Sequence, residues 1–172
     1  DPVFVNNPPD RCYHCKKSIF SAVRDIAREA GRKHVIEGSN ASDVDDYRPG
    51  MRALRELGIR SPLMEVGLTK ADVRAISKGL ELETWDKPAL ACLATRIPVG
   101  QEITPERLDR IEKSENLLRD EGLRQVRLRD HGDLARIEVD RDEMSFFHDD
   151  DRRRHVVSSL KTFGYRYVCL DL

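Results

Sequence analysis

QVRLRDHGDLARIEVD, residues 125–140, is the stretch on which the fold turns. Two runs, Gln125 to Arg129 and Ala135 to Asp140, alternate apolar and polar residues with the period of two that a half-buried strand requires. His131-Gly132-Asp133 between them is turn chemistry, so a hairpin is expected. On its N-terminal side, Pro105 to Glu121 sets Leu108, Ile111 and Leu118 on one helical face before Gly122 ends the run. On its C-terminal side, Met144 to Phe163 has helical spacing up to Gly164, and Tyr165 to Leu172 alternates as a last strand. The C-terminal part therefore reads as a small α-β-β-α-β unit.

The pattern upstream differs. Asn7-Pro8-Pro9-Asp10 leads into a helix from Tyr13 to Ala30, with Ile19, Phe20, Val23, Ile26 and Ala27 at helical spacing. His34-Val35-Ile36-Glu37 reads as a buried strand that runs into the polar loop Gly38-Ser39-Asn40. Met51, Leu54 and Leu57 form a short helix stopped by Gly58, and Ile59 to Leu63 suggests a second strand. Thr69 followed by Asp72 is a capping-box start for the helix that runs to Leu80. Strand and helix alternate, which favours a parallel sheet. The expected fold class is α/β: a partial parallel-sheet domain over residues 1–98, then a small α+β domain over residues 99–172. Thr84 to Gly100 is the ordered loop expected to join them.

Composition narrows the function. With 39% hydrophobic and 35% charged residues and no long apolar run, the 172-residue chain reads as a soluble globular protein that does not enter a bilayer. Lys+Arg 30 against Asp+Glu 31 leaves a net charge of -1, so no global field recruits nucleic acid or an acidic membrane. The chain shows neither a basic n-region nor an apolar h-region, and it is read as cytoplasmic. Four cysteines in that setting point to metal, cluster or redox chemistry rather than to a disulfide framework.

Cys12-Tyr13-His14-Cys15 opens a helix, where two thiolates can clamp one metal and the helix N-terminus favours their charged form. A half zinc site, a redox pair and two buried thiols are the competing readings. Cys92 lies in a loop with Lys87 and Arg96, and a third thiolate completes a three-cysteine set that leaves one iron of a cluster open. Zinc, with His14 or Cys169 as fourth ligand, is the runner-up. Otherwise Cys169, between Val168 and Leu170, reads as a buried structural thiol. Gly38 and Asn40 in the post-strand loop are candidates to hold a nucleotide. Arg127 and Arg129 share one strand face with Leu128 opposite, and Glu138 lies on the neighbouring strand. Together they are candidates for a phosphate pocket facing Cys92, with Glu138 as a hard donor for Mg²⁺ or Ni²⁺. A hairpin surface ion pair is the bland alternative. The acidic run of Asp43, Asp45 and Asp46 with Tyr47 and Arg48, and the Asp149 to Arg154 charge run, read as solvated turns.

Several stretches together resemble one family: Arg11-Cys12-Tyr13-His14-Cys15-Lys16, Glu37 to Asp43, Asp46 to Gly50, Arg60-Ser61-Pro62-Leu63, Trp85-Asp86-Lys87-Pro88, Ala91 to Pro98, and His131 to Glu138. In that order they resemble the LarE family, ATP-dependent sulfur transferases that build the nickel-pincer cofactor of lactate racemase. The resemblance implies an ATP-pyrophosphatase (PP-loop) domain joined to a smaller C-terminal domain. It implies adenylation of a carboxylate of pyridinium-3,5-dicarboxylate mononucleotide, a nicotinate-derived substrate, and then its conversion to a thiocarboxylate. In one branch of the family a cysteine matching Cys92 gives up its own sulfur and becomes dehydroalanine. In another, cysteines matching Cys12, Cys15 and Cys92 bind a 4Fe–4S cluster. A homo-oligomer, a hexamer, is implied as well, with Arg96, Arg127 and Arg129 toward the substrate and ATP and Mg²⁺ as co-reactants.

The Ser-Gly-Gly-x-Asp-Ser phosphate loop of the family does not occur in these 172 residues. The chain is accordingly expected to be part of a longer protein, entered partway through the first domain. A tRNA thiolase with a three-cysteine cluster is the alternative enzyme, and the balanced charge counts against it. The alternative from another class is a non-catalytic module without a phosphate loop.

Overall fold

The computed structural model describes residues 1–43, 49–87 and 91–172. Asp45, Asp46, Tyr47 and Arg48 of the acidic run, and Pro88, Ala89 and Leu90 of the joining loop, lie outside the described residues. The fold is α/β, and the chain separates into two compact units, one of Asp1–Phe4 with Pro8–Lys87 and one of Val5–Asn7 with Pro88–Leu172.

In the first unit, α1 (Pro2–Val5) is a single turn and α2 (Arg11–Glu29) is the main helix. α2 packs on α3 (Gly50–Leu57), whose Ala53 and Leu54 are buried. Gly50 permits the close approach, because a side-chain carbon there would meet Lys16 Cδ at 2.8 Å and the Cys12 carbonyl at 3.3 Å. Gly58, at φ +65, ends α3; its amide bonds to Arg55 O and that of Ile59 to Leu54 O.

The two strands expected here shrink to one parallel bridge, Ile36 with Arg60. Ile36 remains 64% exposed, so the run that looked buried is not flanked among the described residues. Pro62 takes the first position of a short helix, α4 (Pro62–Glu65), which converts the second run from strand to turn. α5 (Lys70–Gly79) begins at the full capping box of Thr69 and Asp72. Thr69→Ala should lower the unit's unfolding free energy by about 1 kcal/mol, read by urea denaturation, while Thr69→Ser should be nearly neutral.

The second unit holds a three-stranded sheet in the order β1-β2-β3. α6 (Pro105–Asp120) precedes it, capped by the Thr104 hydroxyl on the Arg107 amide. β1 (Val126–His131) and β2 (Leu134–Val139) pair antiparallel, with Leu128 opposite Ile137 and Arg129 opposite Arg136. The Gly132 backbone, at φ +76, supplies the left-handed residue that this two-residue loop needs. The single helix expected from Met144 to Phe163 is two elements, a 3-10 stretch (Arg141–His148) and α7 (Asp150–Thr162). Asp149 divides them, its carboxylate accepting from the amides of Asp151 and Arg152. β3 (Tyr167–Leu170) then pairs parallel with β2. Leu118, Leu128, Ile137, Val156 and Leu160 fill the core, each side chain contributing about 1.5–3 kcal/mol by leaving water.

Candidate functional site

The second unit places Cys92 at the entrance of a tight 3-10 turn, Leu93–Arg96, with its side chain exposed. The turn is held from below and from the side. From below, Arg96 is 2% exposed and gives Nε to Glu115 Oε1 at 2.6 Å and Nη2 to Oε2 at 3.3 Å. Glu115 is itself fully buried on α6, where it also accepts from the Leu128 amide at 3.0 Å and from Arg119 at 2.6 Å. A buried carboxylate with four donors around it is satisfied, and it makes Arg96 a structural cation rather than the open substrate ligand expected from the sequence.

From the side, Arg129 Nη1 donates to the Thr95 carbonyl at 3.0 Å. Its Nε and Nη2 reach the two carboxylate oxygens of Glu138 at 2.8 Å each, and Arg136 adds a third bond to Glu138 at 3.0 Å. The hydrogen bond from Arg129, with the charges of Arg129, Arg136 and Arg127 behind it, holds the Glu138 carboxyl below its ordinary 4.5 despite partial burial. Glu138 was expected to ligate Mg²⁺ or Ni²⁺, but its oxygens are occupied by guanidinium groups. Arg127 stays exposed and shares a cleft of about 190 Å³ with Gln125, Glu138 and Asp140. Leu128, 0% exposed, takes the opposite face, so the arginine face points out of the core. Alternation made Arg127, Arg129 and Glu138 visible in the sequence. Arg136, Glu115 and Thr95 were missed, and only the ladder and the helix packing bring them in.

In the first unit, Cys12 is exposed and Cys15 half-buried, one turn apart on α2, and no cysteine of the chain is in a disulfide. Tyr13 between them is fixed by Arg52 stacked 3.7 Å above its ring and by a hydrogen bond from its hydroxyl to Glu56 at 2.8 Å. Among the described residues no three His, Cys, Asp or Glu side chains come together as a metal-holding group. Cys12 and Cys15 belong to the first unit and Cys92 to the second. The soft donors suit iron or zinc, and the first unit by itself supplies two of them, Cys12 and Cys15.

The loop after Glu37 is also closed differently from expectation. The Ser39 amide donates to Glu37 at 3.0 Å and the Asn40 amide to Asp43 at 3.0 Å, while the Asn40 side chain accepts from the Ser42 amide at 3.0 Å. The Ser39 and Asn40 amides, expected to help cradle a phosphate, are thus taken by neighbouring carboxylates. Cys169, half-buried on β3, lines an apolar cleft of about 330 Å³ with Ile137, Phe147, Val156 and Val168.

No family model matches the chain. It is 39% identical over 173 residues to the pyridinium-3,5-bisthiocarboxylic acid mononucleotide synthase of Lactiplantibacillus plantarum, covering all of this chain and 62% of that protein. It is 43% identical over 172 residues to an uncharacterised protein of Synechocystis, covering all of the chain and 64% of that protein. An uncharacterised protein of Methanocaldococcus jannaschii is 32% identical over 168 residues, 98% of the chain and 65% of the relative. The chain thus spans a little under two thirds of the length of these relatives. No helix among the described residues is long and apolar enough to cross a membrane.

Proposed function

We propose that this chain, 39% identical over its whole length to a stretch that makes up 62% of the Lactiplantibacillus plantarum synthase, is of the LarE family and is the sulfur-bearing part of a longer ATP-dependent sulfur transferase that acts on pyridinium-3,5-dicarboxylate mononucleotide. The first unit is the C-terminal portion of the ATP-pyrophosphatase domain, and the second presents the sulfur. The observation that carries this reading is Cys92, an exposed thiol on a turn braced by one buried and one half-buried ion pair.

A carboxylate resists nucleophiles until its oxygen carries a leaving group. Attack of that oxygen on the α-phosphorus of ATP expels pyrophosphate and leaves an acyl adenylate. The Cys92 thiolate then adds to the acyl carbon and AMP departs, giving a thioester to Cys92. Loss of the Cys92 α-proton with cleavage of its Cβ–Sγ bond releases the thiocarboxylate and leaves dehydroalanine. Arg127 is the open cation for the substrate phosphate, and Arg129 both borders the face and secures the turn.

Full-length protein given ATP, Mg²⁺ and the mononucleotide should yield the thiocarboxylate, with residue 92 lighter by one H₂S in the peptide mass spectrum. Intact Cys92 after turnover, together with bound iron and sulfide that vanish in Cys12→Ala and Cys15→Ala, would reject the sacrificial step in favour of a shared cluster. Arg127→Ala should lower the apparent second-order rate constant of single-turnover thiocarboxylate formation by about tenfold or more while leaving the thermal midpoint unchanged. Wild-type turnover in that variant would dismiss the phosphate role.

A further inference from the structure

We propose that Thr95 is the positioning residue for the Cys92 thiol, an inference that rests on the sulfur-transfer reading of Cys92. Four hydrogen bonds meet at this one residue. Its amide and its hydroxyl both donate to the Cys92 carbonyl, at 2.9 and 2.7 Å. The same hydroxyl oxygen accepts from Arg96 Nη1 at 2.9 Å, and its carbonyl accepts from Arg129 Nη1 at 3.0 Å.

The pattern goes beyond what closing a turn requires. One amide-to-carbonyl bond closes a 3-10 turn. Here the Cys92 carbonyl has two donors, so the peptide plane that follows Cys92 is fixed in tilt as well as in distance. The hydroxyl donor is in turn polarised by a guanidinium that is locked on a fully buried carboxylate, Glu115. The second anchor comes from the other side of the turn, through Arg129 and its two-pronged pair with Glu138. Two separate ion pairs therefore converge three residues after the reactive thiol, and Thr95 is where they join. Sulfur transfer to an acyl carbon depends on the direction of approach, and a misplacement of about 1 Å can cost on the order of a hundredfold in rate.

The test exploits the half-buried position of Thr95, where the isosteric Thr95→Val keeps the shape and removes the hydroxyl, while Thr95→Ser restores it. Amide hydrogen exchange of residues 92–97 should be about fivefold faster in the valine variant and near wild type in the serine variant. In full-length protein, the limiting rate of single-turnover thiocarboxylate formation should fall about tenfold or more with valine and recover with serine, with the half-saturating mononucleotide concentration changed less than about twofold. Equal exchange in all three proteins would overturn the proposal. So would a rise in the half-saturating concentration at constant limiting rate, which marks substrate contact, or a serine variant as impaired as valine. If wild-type protein forms no thiocarboxylate, the proposed function falls, whereas the exchange comparison still decides whether Thr95 holds Cys92.

Discussion

Cys92→Ser is expected to abolish thiocarboxylate formation by full-length protein, by on the order of a thousandfold or more, without loss of folding. The serine keeps the size of the side chain and, with it, the exposed start of the Leu93–Arg96 turn. It removes the sulfur, the one atom that the proposed reaction must deliver. In the proposed sequence adenylation precedes the sulfur step, so the variant should still release pyrophosphate on addition of ATP and the mononucleotide. That split between retained pyrophosphate release and lost product is the measurement. Thiocarboxylate at wild-type yield from Cys92→Ser would place the sulfur source elsewhere in the protein.

Asp130→Asn should cost the second unit about 3–5 kcal/mol of stability and lower its thermal midpoint by more than about 10 °C. Asp130 is 0% exposed and collects Arg107 at 2.7 Å, the Gly132 amide at 3.1 Å and the Tyr165 hydroxyl at 3.0 Å, together with Arg110. It ties α6, the hairpin loop and the approach to β3 into one network. Burial pushes its carboxyl up, but the bonds from Arg107, Gly132 and Arg110 outweigh that and leave it below its ordinary 3.8. A carboxyl depressed by folding stabilises at every pH above its unfolded value, about 3.9, and the contribution fades as pH falls through the lower folded value. The gap between wild type and Asp130→Asn should therefore be constant from neutral pH to about 5 and close in stronger acid. A gap that widened on acidification would contradict this. Burial and the nearby Asp130 raise the Tyr165 hydroxyl well above 10, so Tyr165 stays a donor throughout.

The hairpin was legible because period-two alternation at Val126, Leu128, Ala135 and Ile137 matched a sheet with one buried face, and the loop residues agreed with it. The strands near Ile36 and Arg60 were not, because a short apolar run has no periodicity to separate a buried strand from an exposed bridge. Phe147 and Val156 both face the core, which gave the 3-10 stretch and α7 the look of one helix. The break depends on a single capping carboxylate, Asp149, inside a charge run. At the site, Cys92 and the arginine face followed from residue type and strand alternation. Arg96 and Thr95 did not, since their partners come from α6 and β1, and Glu115 looked like any other charge on a solvated helix. What sequence cannot display is which carboxylate a helix turns inward.

The parallel placement of β3 bears on how the unit is made. β1 and β2 adjoin in sequence and can zip as a hairpin as soon as they exist, with α6 already available to cover their apolar face. β2 and β3 are separated by the whole Arg141–His148 stretch and α7, so their pairing waits until Tyr167–Leu170 have been made. During synthesis the nascent unit therefore passes through a stage in which the β2 edge, Leu134 to Val139, is bare while the ribosome still holds its partner. That edge is covered in the finished protein, and its exposure is confined to the seconds of translation. Demand for chaperones should accordingly track elongation speed through codons 141–170 rather than the stability of the mature fold.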